Sequence, residues 1–168
     1  ATVTLSDNRV DGDDVTLGYT ANFADENVGN GKTVNITGVS ITGGTDENNY
    51  ILGSVPASTN ADITPKSLNV SFTTNANKTY NGSETANITG RSLDGVIEPD
   101  VVEVTGGSAT FADKHIGDDK VATATGFTLT GDDAGNYSIS AINTTTGNVI
   151  KRSLTITAVT DDRAYDGT

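Results

Sequence analysis

The sequence has no cysteine, methionine or tryptophan, and only three of its 168 residues are proline. Without cysteine, the disulfides that stabilise many small secreted domains are excluded. A core without methionine or cysteine offers few atoms to oxidants, which suits an extracellular protein. Hydrophobic residues make up 34% of the chain and aromatic residues 5%, so any core must be thin. We expect the four phenylalanines to fill much of it: Phe23, Phe72, Phe111 and Phe127.

Strong helix formers are scarce, and no stretch repeats apolar residues at helical spacing over three turns. Threonine, valine and isoleucine favour strands, while asparagine, aspartate and the 19 glycines supply turns. The sequence therefore predicts an all-β fold. In its first half, alternation and turn residues predict strands at residues 2–5, 15–23, 33–42, 50–53, 61–63 and 68–74.

Negative charge predominates, with 22 acidic against 10 basic residues and a formal net charge of −12. An acidic surface repels phosphate backbones and anionic lipids, so we expect neither nucleic acid nor a membrane surface as a partner. No apolar run reaches the length of a signal peptide or a transmembrane helix. We therefore expect no membrane insertion of this part of the chain.

The strongest signal is an internal repeat, in which blocks of sequence recur in the same order. The first block begins Phe-Ala-Asp and contains a later Gly and Lys. The matches are residues 23–32 with 111–120, 37–43 with 125–131, 49–50 with 136–137, 66–68 with 152–154, and 80–83 with 165–168. Because several ordered matches do not arise by chance, the chain contains two copies of one unit.

The limits of each unit depend on where the repeat is taken to begin. Ala1 matches Ala86, and the chain ends on a second copy of the block at residues 80–83. This predicts two repeats, residues 1–85 and 86–168, in which the strand from Leu68 or Leu154 packs with the residues before it. A frame in which that strand opens the following unit stays open. No spacer rich in proline and glycine separates the copies, so we expect a short, stiff junction.

The number of short strands per copy predicts a sandwich or a small barrel. The segment from Asp132 to Tyr137 is typical of the corner before strand F of immunoglobulin-like sandwiches, where a tyrosine hydroxyl bonds to nearby backbone. We therefore predict two tandem immunoglobulin-like β-sandwich repeats in an extended arrangement. The alternative is a β-grasp-like repeat, which needs a helix between hairpins that the pattern does not show.

The quoted blocks resemble the YDG-type repeat of bacterial cell-surface and secreted proteins. The Tyr-Asp-Gly-Thr block at residues 165–168, the Phe-Ala-Asp block at 111–120 and the Thr-Gly block at 125–131 carry the resemblance, which covers nearly the whole chain. Asn81 departs from it, since aspartate is usual there. The resemblance implies a tandem module of large adhesins and haemagglutinin-like proteins, without enzymatic activity.

Few residues fit a catalytic role, which needs a nucleophile, a base and usually a group that orients the base. The single histidine, His115, falls in a turn where the other copy has Asn27, and no nucleophile elbow or phosphate loop occurs. Paired carboxylates of a glycosidase are available by residue type, but thin sandwiches seldom provide a substrate cleft. We therefore predict that the chain is not an enzyme.

Calcium is the ligand that the composition suits best, because Ca²⁺ takes hard oxygen ligands and acidic turns provide them. The weak candidate ligands are Asp11, Asp13, Asp14, Asp132 and Asp133. Two further acidic pairs, 118–119 and 161–162, are not matched by acids in the other copy. A repeat whose fold required the metal would carry its ligands twice, so solvated turn acids are the favoured interpretation and no cofactor is expected.

Lys32 and Lys120 lie at the same position of both copies, seven residues after Asp25 and Asp113. A lysine at a fixed position can form an isopeptide bond with asparagine, but the sequence identifies neither the partner nor a catalytic acid. An ion pair across the turn is the simpler prediction.

A unit that occurs twice in tandem forms two similar modules in series rather than a single binding pocket. The sequence thus predicts a structural stalk of a large bacterial surface adhesin that supports adhesion or biofilm formation. Its expected partners are neighbouring repeats, with host or matrix glycans and proteins bound through other domains. Two alternatives stay open: direct binding of carbohydrate or host protein, and a fragment of a polysaccharide-active enzyme.

Overall fold

A computed structural model describes residues 1–160 and 162–167. Within those ranges the chain forms strands and two 3-10 turns, Glu47–Asn49 and Ala134–Asn136, but no α-helix. It follows that none of these residues lies in a helix able to cross a bilayer. The all-β prediction is confirmed. The strands are β1 Thr16–Phe23, β2 Gly29–Gly43, β3 Ser58–Ile63, β4 Lys66–Thr74, β5 Asn77–Thr79, β6 Thr85–Ala86, β7 Ile88–Asp94, β8 Glu103–Phe111, β9 Gly117–Thr130, β10 Tyr137–Ile142 and β11 Thr145–Ile150.

Contacts divide the chain into two compact units. The first comprises Ala1–Ser67 with Gly131–Ser138, and the second comprises Leu68–Thr130 with the residues from Ile139 onward. This division differs from the predicted repeats of 1–85 and 86–168, because β4 falls in the second unit. Sequence repeats have no physical start of their own, whereas a compact unit is limited by which strands pair.

The first unit is built on an antiparallel sheet with the order β1-β2-β3. Phe23 pairs with Val34 and Ala21 with Ile36 across β1 and β2. Apolar side chains at alternate positions point to the same face of a strand. Ala21, Val34 and Ile36 are accordingly buried, together with Val15 just before β1.

The second unit contains a five-stranded sheet, β5-β11-β9-β8-β6, and a three-stranded sheet, β10-β4-β7. Side chains of both sheets form one core, in which the Phe72 and Phe127 ring centroids lie 6.0 Å apart. The other buried members of that core are Val70, Ala86, Ala109, Phe111, Ala122, Ala124 and Val149. The small alanine side chains leave space between the two sheets, and the rings of Phe72, Phe111 and Phe127 fill it.

The two copies of the sequence build the same ladder twice. Strands β8, β9 and β11 of the second unit pair as β1, β2 and β3 do in the first. Phe111 pairs with Ala122 as Phe23 pairs with Val34. Gly117 pairs with Val149 as Gly29 pairs with Ile63. The repeat detected in the sequence is therefore also a repeat of strand pairing and register.

Four sequence-based expectations about strands are wrong. Residues 2–5 and 50–53 are not strands. The strand from Leu68 was expected to pack with the residues before it, but it pairs with β7 and β10, which both follow it in the chain. Its counterpart from Leu154 is not a strand among the described residues, and Leu154 is 87% exposed. The predicted acid at Asp161 and the final Thr168 lie outside the described residues.

Candidate functional site: an unfilled strand position in the first unit

Strand β4 of the second unit is buried between two neighbouring strands. It lies between β10 and β7, and Leu68 and Val70 are completely buried while Phe72 is 5% exposed. On one side, Asn143 N donates to Val70 O at 2.8 Å and Ser140 Oγ to Leu68 O at 3.1 Å. On the other side, β4 pairs with β7 in antiparallel register. Strand β4 thus forms hydrogen-bonded ladders on both of its sides, and its apolar side chains cover one side of the core.

The first unit has no strand at the equivalent position. Residues around Val3 match β7, which begins at Ile88, and residues 50–55 match β10. The two matching segments are irregular in the first unit. A strand is stabilised by ladder hydrogen bonds from its neighbours, and no described strand of the first unit pairs with either segment. This explains why the predicted strands at residues 2–5 and 50–53 do not form.

The exposure of matched side chains supports this comparison. Ile139 and Ile142 of β10 are partly buried and pack against the core of the second unit. Their matches in the first unit, Leu52 and Val55, are 41% and 46% exposed. Isolated exposed apolar residues are common on protein surfaces, but these two belong to one groove.

We call this groove the acceptor groove. Its volume is about 270 Å³ and it lies wholly within the first unit. Residues 3–7 and 52–59 form its two sides, and strand residues Leu17, Ile36 and Val39 contribute apolar side chains to it. A second cavity of about 520 Å³, lined among others by Arg9, Ile41 and Tyr50, shares Leu17 and Leu52 with it. The side chains of Leu5, Leu52 and Val55 add to this apolar lining.

Residues 152–160 carry the sequence pattern of β4, and we call them the donor segment. Arg152, Ser153 and Leu154 match Lys66, Ser67 and Leu68, as the repeat predicts. In β4 the apolar face is buried, whereas Leu154 and Ile156, which carry the matching face of the donor segment, are 87% and 88% exposed. An alternating apolar segment that lies in solvent lacks the sheet that the same pattern has in the second unit.

The acidic turn before β1 is occupied by internal hydrogen bonds. The Tyr50 hydroxyl donates to Asp13 Oδ2 at 2.6 Å and accepts from Val10 N at 2.9 Å. Thr45 N donates to Asp14 Oδ2 at 3.2 Å. The hydrogen bond to Asp13 raises the pKa of Tyr50 above its ordinary value, although the bond from Val10 acts in the opposite direction. These acids therefore connect the turn at residues 11–14 to the loop before Tyr50.

The candidate calcium ligands are not brought together as a metal site. Asp11 is exposed in a turn, and Asp132 and Asp133 precede the 3-10 turn Ala134–Asn136. Within residues 1–160 and 162–167, no group of three or more acidic or histidine side chains is placed to hold a metal ion. Calcium binding by Asp11, Asp13, Asp14, Asp132 or Asp133 stays a prediction without a geometry to support it.

The predicted ion pair is confirmed in both copies. Lys32 pairs with Asp25, and Lys120 pairs with Asp113. Each aspartate also accepts a hydrogen bond from the backbone N–H of the residue two positions later in the chain. Asn27 N donates to Asp25 Oδ1 at 3.0 Å, and His115 N donates to Asp113 Oδ1 at 2.8 Å. The hydrogen bond from the lysine is the main cause of the lowered pKa of both aspartates, and the backbone hydrogen bond is the second cause. The pair closes the β-hairpin between the first two strands of each ladder.

A glycine makes room for each of these lysines. A Cβ at Gly29 would lie 3.0 Å from Lys32 Cδ, and one at Gly117 would lie 3.4 Å from Lys120 Cδ. The lysine stem therefore crosses the glycine, and its amine reaches the turn aspartate. His115 is exposed in the same turn, as its position predicted. We call the pairs Lys32–Asp25 and Lys120–Asp113 the turn clasps. In each clasp the lysine amine contacts a carboxylate rather than an asparagine.

These observations define an all-β repeat protein whose ladder and turn clasp occur twice. The sequence profile described as YDG domain matches residues 1–60 and 64–146. The chain therefore belongs to the YDG domain family. The second matched stretch begins close to Leu68, as the second compact unit does. Neither the comparison with curated proteins nor that with solved structures finds a match.

Reasoning from the sequence missed the acceptor groove. Its apolar residues are far apart in the chain: Leu5 and Leu52 lie in two segments that the sequence predicts as strands, and Leu17 lies in β1. One signal was available: Leu68, Val70 and Phe72 alternate as in a buried strand, and the repeat places Leu154 and Ile156 in the same pattern. A strand that recurs at the end of each copy can belong to the unit on either side.

Proposed function

We propose that this chain is a structural stalk segment of a large bacterial surface adhesin, located outside the cell. The observation that carries the proposal is the repeated ladder, β1-β2-β3 and β8-β9-β11, with its clasp in both copies. A unit repeated in series adds length and mechanical resistance, with stability that comes from each unit and its neighbours. A formal charge of −12 keeps such a stalk soluble and well separated from anionic surfaces.

The same proposal includes the architecture of each unit, an immunoglobulin-like sandwich arranged end to end with the next. It is supported by the second unit, where the three-stranded and five-stranded sheets share one core. The β-grasp alternative needs a helix, and the part of the chain that the structure describes has no α-helix.

A structural role is also favoured by what the polar groups do. Asp25 and Asp113 neutralise lysines, and Asp13 accepts from Tyr50. A general base needs to reach a proton of a bound substrate, which a carboxylate committed to a buried or half-buried lysine does poorly. We infer that these carboxylates stabilise turns and that the chain has no catalytic role.

Single-molecule force spectroscopy tests the stalk role. The chain is held between two marker domains and stretched until it unfolds. A stalk of independent units unfolds in separate events, each lengthening the chain by about 3.5 Å per residue released. One event that releases both copies together, or extension at very low force, would contradict the proposal.

A binding assay distinguishes the main rival function. The purified chain is applied to glycan arrays and to immobilised matrix proteins, with the Lys114→Gln variant, at an exposed lysine of the same turn, as a control for non-specific charge effects. A spacer binds neither. Saturable binding to one glycan class would instead favour direct recognition by the repeats, and turnover on a polysaccharide panel would favour the enzyme fragment.

A further inference from the structure

We propose that the donor segment of one copy of this chain docks as a β-strand in the acceptor groove of a second copy. It takes the place there that β4 occupies in the second unit. The proposal does not depend on the adhesin role, because it rests on the strand pattern and the groove alone.

The first argument is the match between the donor segment and β4. Leu154 and Ile156 correspond to Leu68 and Val70, which are completely buried in the second unit. The intervening residues are polar in both segments, so each presents one apolar face. The donor segment shows this face to solvent, where it gains nothing from the hydrophobic effect.

The second argument is the match between the groove and the surroundings of β4. In the second unit, β4 contacts β7 on one side and β10 on the other. The segments that match those two strands form the sides of the acceptor groove, at residues 3–7 and 52–59. Leu52 and Val55 of the groove match Ile139 and Ile142, which pack on the core where β4 is present.

The third argument is the backbone. Residues 4–7 and 52–56 belong to no strand, and an added strand forms ladder hydrogen bonds with the backbone of such segments. The donor strand would pair on both of its sides, which orders two irregular segments at once. In the second unit, the side chains of Ser140 in β10 and Asn69 in β4 lie 3.2 Å apart. Gly53 matches Ser140 and Thr155 matches Asn69, so docking predicts that Gly53 of one copy lies next to Thr155 of the other.

The geometry of this association is head-to-tail, since the groove and the segment are different surfaces. Such heterologous contacts form a ring where the rotation between copies closes, and an open chain of copies where it does not. In a longer polypeptide, the same contact would join a unit to the strand that follows its neighbour. The occupant proposed here is the second copy, which can be tested with this chain alone.

Sedimentation velocity from micromolar to millimolar concentration is the first measurement. We expect mass to increase with concentration beyond the dimer. Ile156→Asp places a charge in the apolar face of the donor segment, and Leu52→Asp places one in the groove. Either variant alone should remain monomeric, with at least a tenfold weaker self-association. Thr157→Asp, on the polar face of the same segment, is the matched control and should associate as the wild type does.

Mixing the two variants provides the decisive readout. Ile156→Asp retains an intact groove and Leu52→Asp retains an intact segment, so an equimolar mixture should form dimers and nothing larger. Circular dichroism of each variant confirms that it is folded. Self-association that persists in Ile156→Asp, or a wild type that stays monomeric throughout, would overturn the proposal.

Cysteine cross-linking tests the register independently. The chain has no native cysteine, so only introduced thiols react. A mixture of Gly53→Cys and Thr155→Cys chains should form a disulfide-linked heterodimer under mild oxidation. Thr128→Cys, on β9, replaces Gly53→Cys in the control mixture. Equal yields in the two mixtures would show that the collision is random and would contradict the docked strand.

Discussion

The Phe127 ring lies directly against the backbone of Gly107, and a Cβ added at Gly107 would come within 2.3 Å of ring atom Cε1. Gly107 also has a φ of 88°, in the left-handed region that side chains rarely adopt. In the first copy the matching residues are Tyr19 and Val39, so the large and small residues have exchanged places. Each copy therefore keeps one ring at this position.

Gly107→Ala should destabilise the second unit. We expect the free energy of unfolding to fall by about 2–4 kcal/mol, from left-handed strain and overpacking against Phe127. Urea denaturation followed by circular dichroism measures it. Gly135→Ala is the control, since a Cβ there meets nothing within 4 Å, and it should change stability by less than about 0.5 kcal/mol. Equal effects of the two variants would show that the contact does not constrain the fold.

The Lys–Asp clasp should contribute stability that depends on pH. Its lysine lowers the pKa of Asp113, so the folded state favours the ionised carboxylate. That stability is fully present above the unfolded aspartate pKa of about 3.9 and is lost as pH falls through the lower folded value. Asp113→Asn should therefore be less stable than the wild type near neutrality, with a difference that disappears in acid.

Denaturant unfolding between neutral pH and strong acid measures this difference. Asp118→Asn, in the same hairpin, is the control for the loss of one negative charge. High salt should weaken the clasp, because the aspartate is half exposed. A difference between wild type and Asp113→Asn that grows in acid would contradict the assigned ion pair.

Tyr50 should ionise at higher pH than an ordinary tyrosine. Its hydroxyl donates to Asp13, so removing the proton would place two negative charges side by side. The raised folded pKa stabilises the fold below the unfolded value of about 10, and that contribution is lost as pH rises through the folded pKa. Absorbance titration of the phenolate should show Tyr50 titrating earlier in Asp13→Asn. An unchanged titration in that variant would exclude the hydrogen bond as the cause.

Chelation should leave the melting temperature of the chain nearly unchanged. Asp13 and Asp14 accept hydrogen bonds from Tyr50 and Thr45, so they stabilise the turn without a metal. Differential scanning calorimetry with EDTA, and then with excess calcium, provides the measurement. A large fall in melting temperature on chelation, restored by calcium, would show that a metal site exists and that the acidic turns were misinterpreted.

Much of this structure follows from the sequence. The all-β class, the register shared by both copies and the clasps at Lys32 and Lys120 could be predicted, because they depend on local alternation and on residues close in the chain. Strands at residues 2–5 and 50–53 were predicted wrongly, because alternation indicates a capacity to pair and cannot show whether a partner is present.

The limits of the structural unit could not be read from the repeat. A periodic sequence can be cut at any point, and Leu68 follows one ladder as closely as it precedes the next. What decides the question is burial: Leu68 and Val70 are fully enclosed among strands that come later in the chain. In the first unit, the segments that match β7 and β10 form the sides of the acceptor groove.

The most direct test of which strands form one structural unit compares two fragments, residues 64–150 and residues 86–168. Thermal unfolding and the dispersion of the amide NMR resonances are measured for each. The first fragment contains β4 to β11, whereas the second lacks β4 and β5 and keeps the donor segment instead. If β4 belongs with the strands after it, residues 64–150 unfold cooperatively with dispersed resonances and residues 86–168 do not. A cooperative fold of residues 86–168, as stable as that of residues 64–150, would contradict this.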